Sequence, residues 1–110
     1  MAAFSEIVIE QGATFNTTIN VEDAYNNPVD LLDYTASSQM RKSYYSSTSY
    51  ALTAEITDVA QGEITLSMTA ANTSSLTPGR YVYDLIIEDT SNTITRVVEG
   101  IATVLPSVTR

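Results

Sequence analysis

Apolar and polar residues alternate with a period of two along most of this chain, the spacing at which a strand turns one face to a core and the other to water. Phe15, Thr17, Ile19 and Val21 interleave with Asn16, Thr18 and Asn20, and Ile64, Leu66 and Met68 with Glu63, Thr65, Ser67 and Thr69. Tyr81, Tyr83, Leu85 and Ile87 form another series against Arg80, Val82, Asp84 and Ile86. In the segment before residue 42, Ala36, Ser38 and Met40 share one face, and after residue 50 Leu52, Ala54 and Ile56 do the same. The pattern predicts strands at 4–10, 13–21, 34–42, 50–57, 63–69, 80–88 and, as one strand or two, 93–105.

Turn residues separate these segments. Gly12, Pro28 with its flanking Asn and Asp residues, the runs 58–62 and 89–92, and Thr77-Pro78-Gly79 supply Asx side chains, a fixed proline φ and permissive glycines. The loop at 22–30 is expected to deliver Leu31 and Leu32 back to the core. Residues 43–49 hold no aliphatic side chain, 70–76 suits one helical turn, and Gly100 stands where a bulge or kink is expected in the last strand. Seven or eight strands at this spacing predict an all-β fold. It is an immunoglobulin-like antiparallel β-sandwich with Greek-key connections, one domain over residues 1–110. The segment Leu76-Thr77-Pro78-Gly79-Arg80-Tyr81 has the form of a tyrosine corner, in which Tyr81 hydrogen-bonds backbone a few residues upstream.

Composition sharpens this reading. Val, Ile and Thr make up nearly a third of the 110 residues, whereas Lys occurs once, which favours strands over helices. The chain has no His, Cys or Trp, so Ser-His-Asp and Cys-His nucleophiles, imidazole or thiolate metal sites and redox pairs are excluded. Paired carboxylates for glycoside chemistry need a cleft that so short a chain has no insertion to build. The expectation is a protein that is not an enzyme and has no cofactor. A net charge of −8 opposes a grip on nucleic acid or anionic lipid. No apolar run approaches the roughly 20 residues of a membrane span, and residues 1–12 lack a signal-peptide pattern. Met1 and the uncharged stretch before Arg110 suggest a complete small gene product.

With the strands lettered in the immunoglobulin order, three loops meet at one end of the sandwich. That end is acidic: Glu22, Asp23 and Asp30 lie in or beside the first loop, Asp58 and Glu63 flank the second, and Glu88 and Asp89 enter the third. Ca²⁺ takes six to eight oxygens, but no D-x-D-x-D spacing appears, and Asp is common in turns for local hydrogen-bonding reasons. The opposite end carries the loop from Ser43 to Tyr50. There Arg41, Lys42, Tyr44, Tyr45 and Tyr50 are candidate partner-binding residues, because Tyr gives rigid amphipathic area at low entropic cost. The structural alternative is that the tyrosines fold back over the sandwich end.

Taken in order, several segments resemble small virion proteins of tailed bacteriophages. They are Gln11-Gly12-Ala13-Thr14-Phe15, Asn27-Pro28-Val29-Asp30-Leu31, Ser38-Gln39-Met40-Arg41-Lys42-Ser43, Gly62-Glu63-Ile64-Thr65-Leu66-Ser67, Pro78-Gly79-Arg80-Tyr81-Val82-Tyr83-Asp84-Leu85, Thr95-Arg96-Val97-Val98-Glu99-Gly100 and Pro106-Ser107-Val108-Thr109-Arg110. Such sequences look like immunoglobulin-like proteins of phage particles and are similar to the N-terminal module of baseplate upper proteins. The resemblance implies a virion structural protein, made in the host cytoplasm: a tail, baseplate or neck component, or a capsid decoration. Its implied partners are other virion proteins and further copies of itself, without nucleic acid or membrane. A carbohydrate-binding or adhesin module, with the tyrosines stacked on sugar rings, is the competing class.

Overall fold

The computed structural model describes residues 3–23 and 25–108, so the two chain ends, Met1 and Arg110, lie outside the described residues. Among the described residues, eight strands and one short helix follow in the order β1 (Ala3–Phe4), β2 (Ile7–Glu10), β3 (Phe15–Asn20), β4 (Thr35–Arg41), β5 (Tyr50–Asp58), β6 (Glu63–Met68), α1 (Ala70–Ser74), β7 (Gly79–Glu88) and β8 (Ile94–Leu105). The fold is all-β, an immunoglobulin-like sandwich. Its larger layer runs β1/β2, β8, β7, β4 and the start of β5; its smaller layer runs from the rest of β5 through β6 to β3. β5 joins the layers. Tyr50–Leu52 pair with β4, and from Thr53 onward the same strand pairs with β6, so hydrogen bonding continues around a curled half-barrel.

The alternating residues named above meet between the layers. Leu31, Met40, Leu52, Ile64, Leu66, Leu85 and Val104 are buried together with Tyr81 and Tyr83. At about 1.5–3 kcal/mol for each fully buried large aliphatic side chain, this one cluster is the main source of stability. Leu31 and Leu32 part company: Leu31 is buried, whereas Leu32 is 66% exposed. The Asp30 carboxylate accepts the Leu32 N–H at 3.0 Å, and Asp33 adopts φ 65°, so the turn sends neighbouring side chains in opposite directions.

The entry of the chain makes the sheet mixed instead of wholly antiparallel. β1 and β2 run parallel to β8, with Ile7 opposite Ala102 and Ile9 opposite Val104. The reason is that the turn after β2 crosses to the other layer instead of closing a hairpin. That turn is tied down by α1: the Gly12 N–H donates to Thr73 Oγ1 at 3.1 Å, and this hydroxyl donates to the Ala13 carbonyl at 2.9 Å. Thr69 caps α1, its Oγ1 accepting from the Asn72 N–H.

Gly100 is not the site of the bulge. The register shift in β8 falls three residues earlier, at Val97, where Leu85 faces Val98 and Ile86 faces Arg96, and Gly100 pairs regularly with Tyr83. Gly100 instead makes room for the chain between β1 and β2. A Cβ there would stand 1.8 Å from the Ser5 carbonyl oxygen, which accepts a hydrogen bond from the Tyr83 hydroxyl at 2.8 Å.

Candidate functional site

The outward face of the larger sheet is apolar at positions where an ordinary solvated strand face is polar. Along β7, Val82 and Ile86 point out between Arg80, Asp84 and Glu88, and all five are half-buried or exposed. Across the ladder, Val82 faces Ile101 of β8, and Thr103 lies between Arg80 and Val8. At the edge Phe4 and Val8 are 65% and 55% exposed. A concavity of about 600 Å³ opens on this face, floored by Gln39, Val82 and Ile86 and rimmed by Arg41, Tyr44 and Ala51. It reaches inward past Ser38 and Ala54, where β5 leaves β4 to join the other layer.

The two carboxylates that line the concavity share one guanidinium. Arg96 reaches Asp84 at 3.4 Å and Glu99 at 3.3 Å, in each case with both partners partly exposed. The Arg41 guanidinium donates to the Ser46 carbonyl at 2.6 Å and to Gln39 Oε1 at 3.1 Å. Ser38 is buried, and its hydroxyl donates to the Asp84 carbonyl. The result is a dish of half-buried aliphatics with hydrogen-bonded polar groups around it. Among the described residues no three carboxylates come together to hold a metal ion.

The five candidate partner-binding residues divide into two groups. Tyr44 and Tyr45 are exposed, Tyr45 almost completely, and Tyr44 and Arg41 border the concavity. Lys42, though exposed, and half-buried Tyr50 engage the Tyr81 ring of the same chain: the Lys42 ammonium stands 4.6 Å from the ring centroid, and Tyr50 meets that ring edge-on at 5.9 Å between centroids. Tyr81 itself donates its hydroxyl to the Thr77 carbonyl at 2.8 Å, the hydrogen bond of a tyrosine corner. Burial, and after it the neighbouring Tyr50, pushes the Tyr81 phenol above its ordinary pKa, against the opposing effect of the Thr77 bond. Burial likewise raises Tyr83, opposed by its bond to Ser5.

The acidic loops do meet at one end. The Leu31 N–H donates to the Val59 carbonyl at 2.9 Å, and the Val21 N–H to the Gly62 carbonyl at 2.7 Å, which joins the first loop to the second; Thr35 opposite Glu88 brings in the third. Their carboxylates shape the turns. Asp23 accepts from the N–H groups of Tyr25 and Asn27, Asp58 from that of Gln61, and Asp89 from those of Ser91 and Thr93. Glu22 forms an isolated bridge with Pro28.

No family model and no curated protein matches this chain. Among solved structures it is similar to an internalin-like protein of Listeria monocytogenes, with a TM-score of 0.50 and 18% identity, over 94% of this chain and 28% of that one. At that identity the likeness speaks to the fold alone, and the chain spans less than a third of that protein's length. The residues that sequence reasoning passed over are Asp84 and Glu99, the two carboxylates that Arg96 engages. The signal pointing to them was the aliphatic character of Val82 and Ile86 at outward positions, flanked by charge.

Proposed function

We propose that this protein is a non-enzymatic structural module of a bacteriophage particle, in a tail, baseplate, neck or decoration position, and that it acts through protein contacts made by the outward face of its larger sheet. The observation that supports the reading is the dish floored by Val82 and Ile86, open to solvent and bordered by Tyr44 and Arg41. Apolar surface rimmed by polar groups gains free energy when a partner covers it, and an exposed Tyr at the rim is a residue type enriched at binding hot spots. A small thiol-free β-domain also suits a particle, because it resists oxidation.

The test is whether the protein co-purifies with intact particles from a lysate of the phage that encodes it, read by mass spectrometry and by labelled electron microscopy. Its absence from the particles defeats the reading. Within particles, Ile86→Lys is expected to prevent incorporation while leaving the isolated domain folded. The exposure of the two rings of Tyr44 and Tyr45 supports the second reading, a glycan-binding module. A specific glycan-array signal abolished by Tyr44→Ala with Tyr45→Ala, in a protein missing from particles, would favour it.

A further inference from the structure

The sheet has two free edges, and they are treated differently. One is β1/β2, which is interrupted at Ser5–Glu6 and carries Glu6 and Glu10, the usual protection against edge-to-edge pairing. The other is β3, which pairs with β6 at all six positions and has no bulge, proline, glycine or charge. Every other strand of four or more residues carries at least one charged side chain. The edge that most needs a guard is the strand without one.

Its backbone groups are placed for pairing. The Val21 N–H donates to Gly62, its neighbour across the ladder. In an antiparallel pair such residues alternate, so Ile19, Thr17 and Phe15 direct their N–H and C=O groups at β6, while those of Asn16, Thr18 and Asn20 point out from the free edge. A cleft of about 380 Å³ lies between this edge and β2, so no described residue fills the next ladder position along the first half of β3.

We infer that β3 is a self-association edge, where a second copy of this chain adds its own β3 antiparallel about a two-fold axis at Thr18. Charge argues for a copy of this chain. Two molecules of net charge −8 repel over most of their surfaces, and the neutral β3 lets them meet without like charges directly opposed. The sequence is self-complementary in this register: Thr18 faces Thr18 and Asn16 faces Asn20 on the outer side, and Thr17 faces Ile19 on the inner side. The product is a six-stranded layer, β5-β6-β3 joined to its symmetry mate, with an isologous contact. The inference holds whichever particle, if any, contains the protein.

Sedimentation equilibrium of the full chain over a wide concentration range tests this. The wild type is expected to form dimers; Thr18→Lys, which sets two ammonium groups across the axis, should weaken dimerisation by about fivefold or more. Equimolar mixing of Thr18→Lys with Thr18→Glu should restore the affinity that each variant loses on its own. Amide exchange on the wild type supplies a readout free of variants: the Asn16, Thr18 and Asn20 N–H groups should become protected as concentration rises. A wild type that stays monomeric, a dimer indifferent to Thr18→Lys, or a dimer that leaves these three amides unprotected overturns the inference. None of these outcomes bears on whether the protein belongs to a particle.

Discussion

Replacing Gly100 by alanine adds one methyl group against Ser5, in the break between β1 and β2 where they lie alongside β8. The backbone at Gly100 is compatible with alanine, since its φ lies outside the left-handed region, so the cost is steric. The added Cβ would meet the Ser5 oxygen at 1.8 Å and the Ser5 carbonyl carbon at 2.8 Å. These are backbone atoms, and the chain between β1 and β2 has to lift by more than an ångström, roughly the shortfall from ordinary van der Waals contact. Lifting it breaks the Tyr83–Ser5 bond and the Ser5 N–H bond to the Glu99 carbonyl at 2.9 Å. Two hydrogen bonds at about 1 kcal/mol each, and a phenol left unpaired in a buried place, give a loss of about 2–4 kcal/mol. If the disturbance reaches β2, Ile7 and Ile9 lose burial as well, at about 1.5–3 kcal/mol each, against a total stability of about 5–15 kcal/mol. Thermal unfolding followed by circular dichroism should show a midpoint at least about 8 °C lower than wild type. The decisive control is the same substitution in a chain that begins at Ile7. With Ser5 gone, Gly100→Ala should be neutral or stabilise by up to about 1 kcal/mol, because alanine restricts the unfolded chain. Equal destabilisation in both backgrounds, or none in the full chain, would refute the steric account.

Other outcomes follow from the same contacts. Thr73→Val keeps the shape of a fully buried side chain but leaves the Gly12 N–H and the Ala13 carbonyl without their partner; urea denaturation should report a loss of about 2 kcal/mol. Tyr81→Phe removes the bond to Thr77 and should cost about 1 kcal/mol by the same measurement. The folded state holds the Tyr81 and Tyr83 phenols above the ordinary value of 10.0, chiefly by burial. Their contribution is therefore fully present below pH 10 and is lost as pH rises through the raised values, since the unfolded chain ionises first. Unfolding free energy should fall in that alkaline window, and less steeply in Tyr83→Phe. Arg96→Ala breaks two partly exposed ion pairs; the change should stay below about 1 kcal/mol and shrink further in high salt, and a larger or salt-independent effect would show that Arg96 does more than pair with its neighbours.

Most of the strands were legible because the period of two is local information. The alternations at 64–68 and 81–87 set both the strand and its inward face, and the residues chosen for the core from them are the buried ones. The single turn of helix at 70–74 could be read from small polar residues before a Pro-Gly turn. Leu32 was expected in the core beside Leu31 and lies outside it, because two adjacent leucines carry no phase and an Asx turn decided which of them faced inward. The candidate site was half legible: Arg41, Tyr44 and Tyr45 stood out by type, whereas Lys42 and Tyr50 were drawn onto the Tyr81 ring by packing that no spacing rule reports.

By itself the sequence determined that this chain makes strands, which side of the five central ones faces a core, where the turns fall, and which chemistries its residue types exclude. Those follow from side-chain periodicity, backbone preference and composition, all properties of short segments. Only the tertiary structure decided which strands are neighbours. Residues 50–58 alternate without a break, yet their partner changes from β4 to β6 at Thr53, because either neighbour accepts the same pleat. The parallel seat of β2 on β8, the clearance at Gly100 for Ser5, the dish over Val82 and Ile86 and the open edge of β3 all come from pairs of segments far apart in the chain. Such pairings are chosen by the closing of one shared core, a free-energy minimum of the whole chain that no single segment encodes.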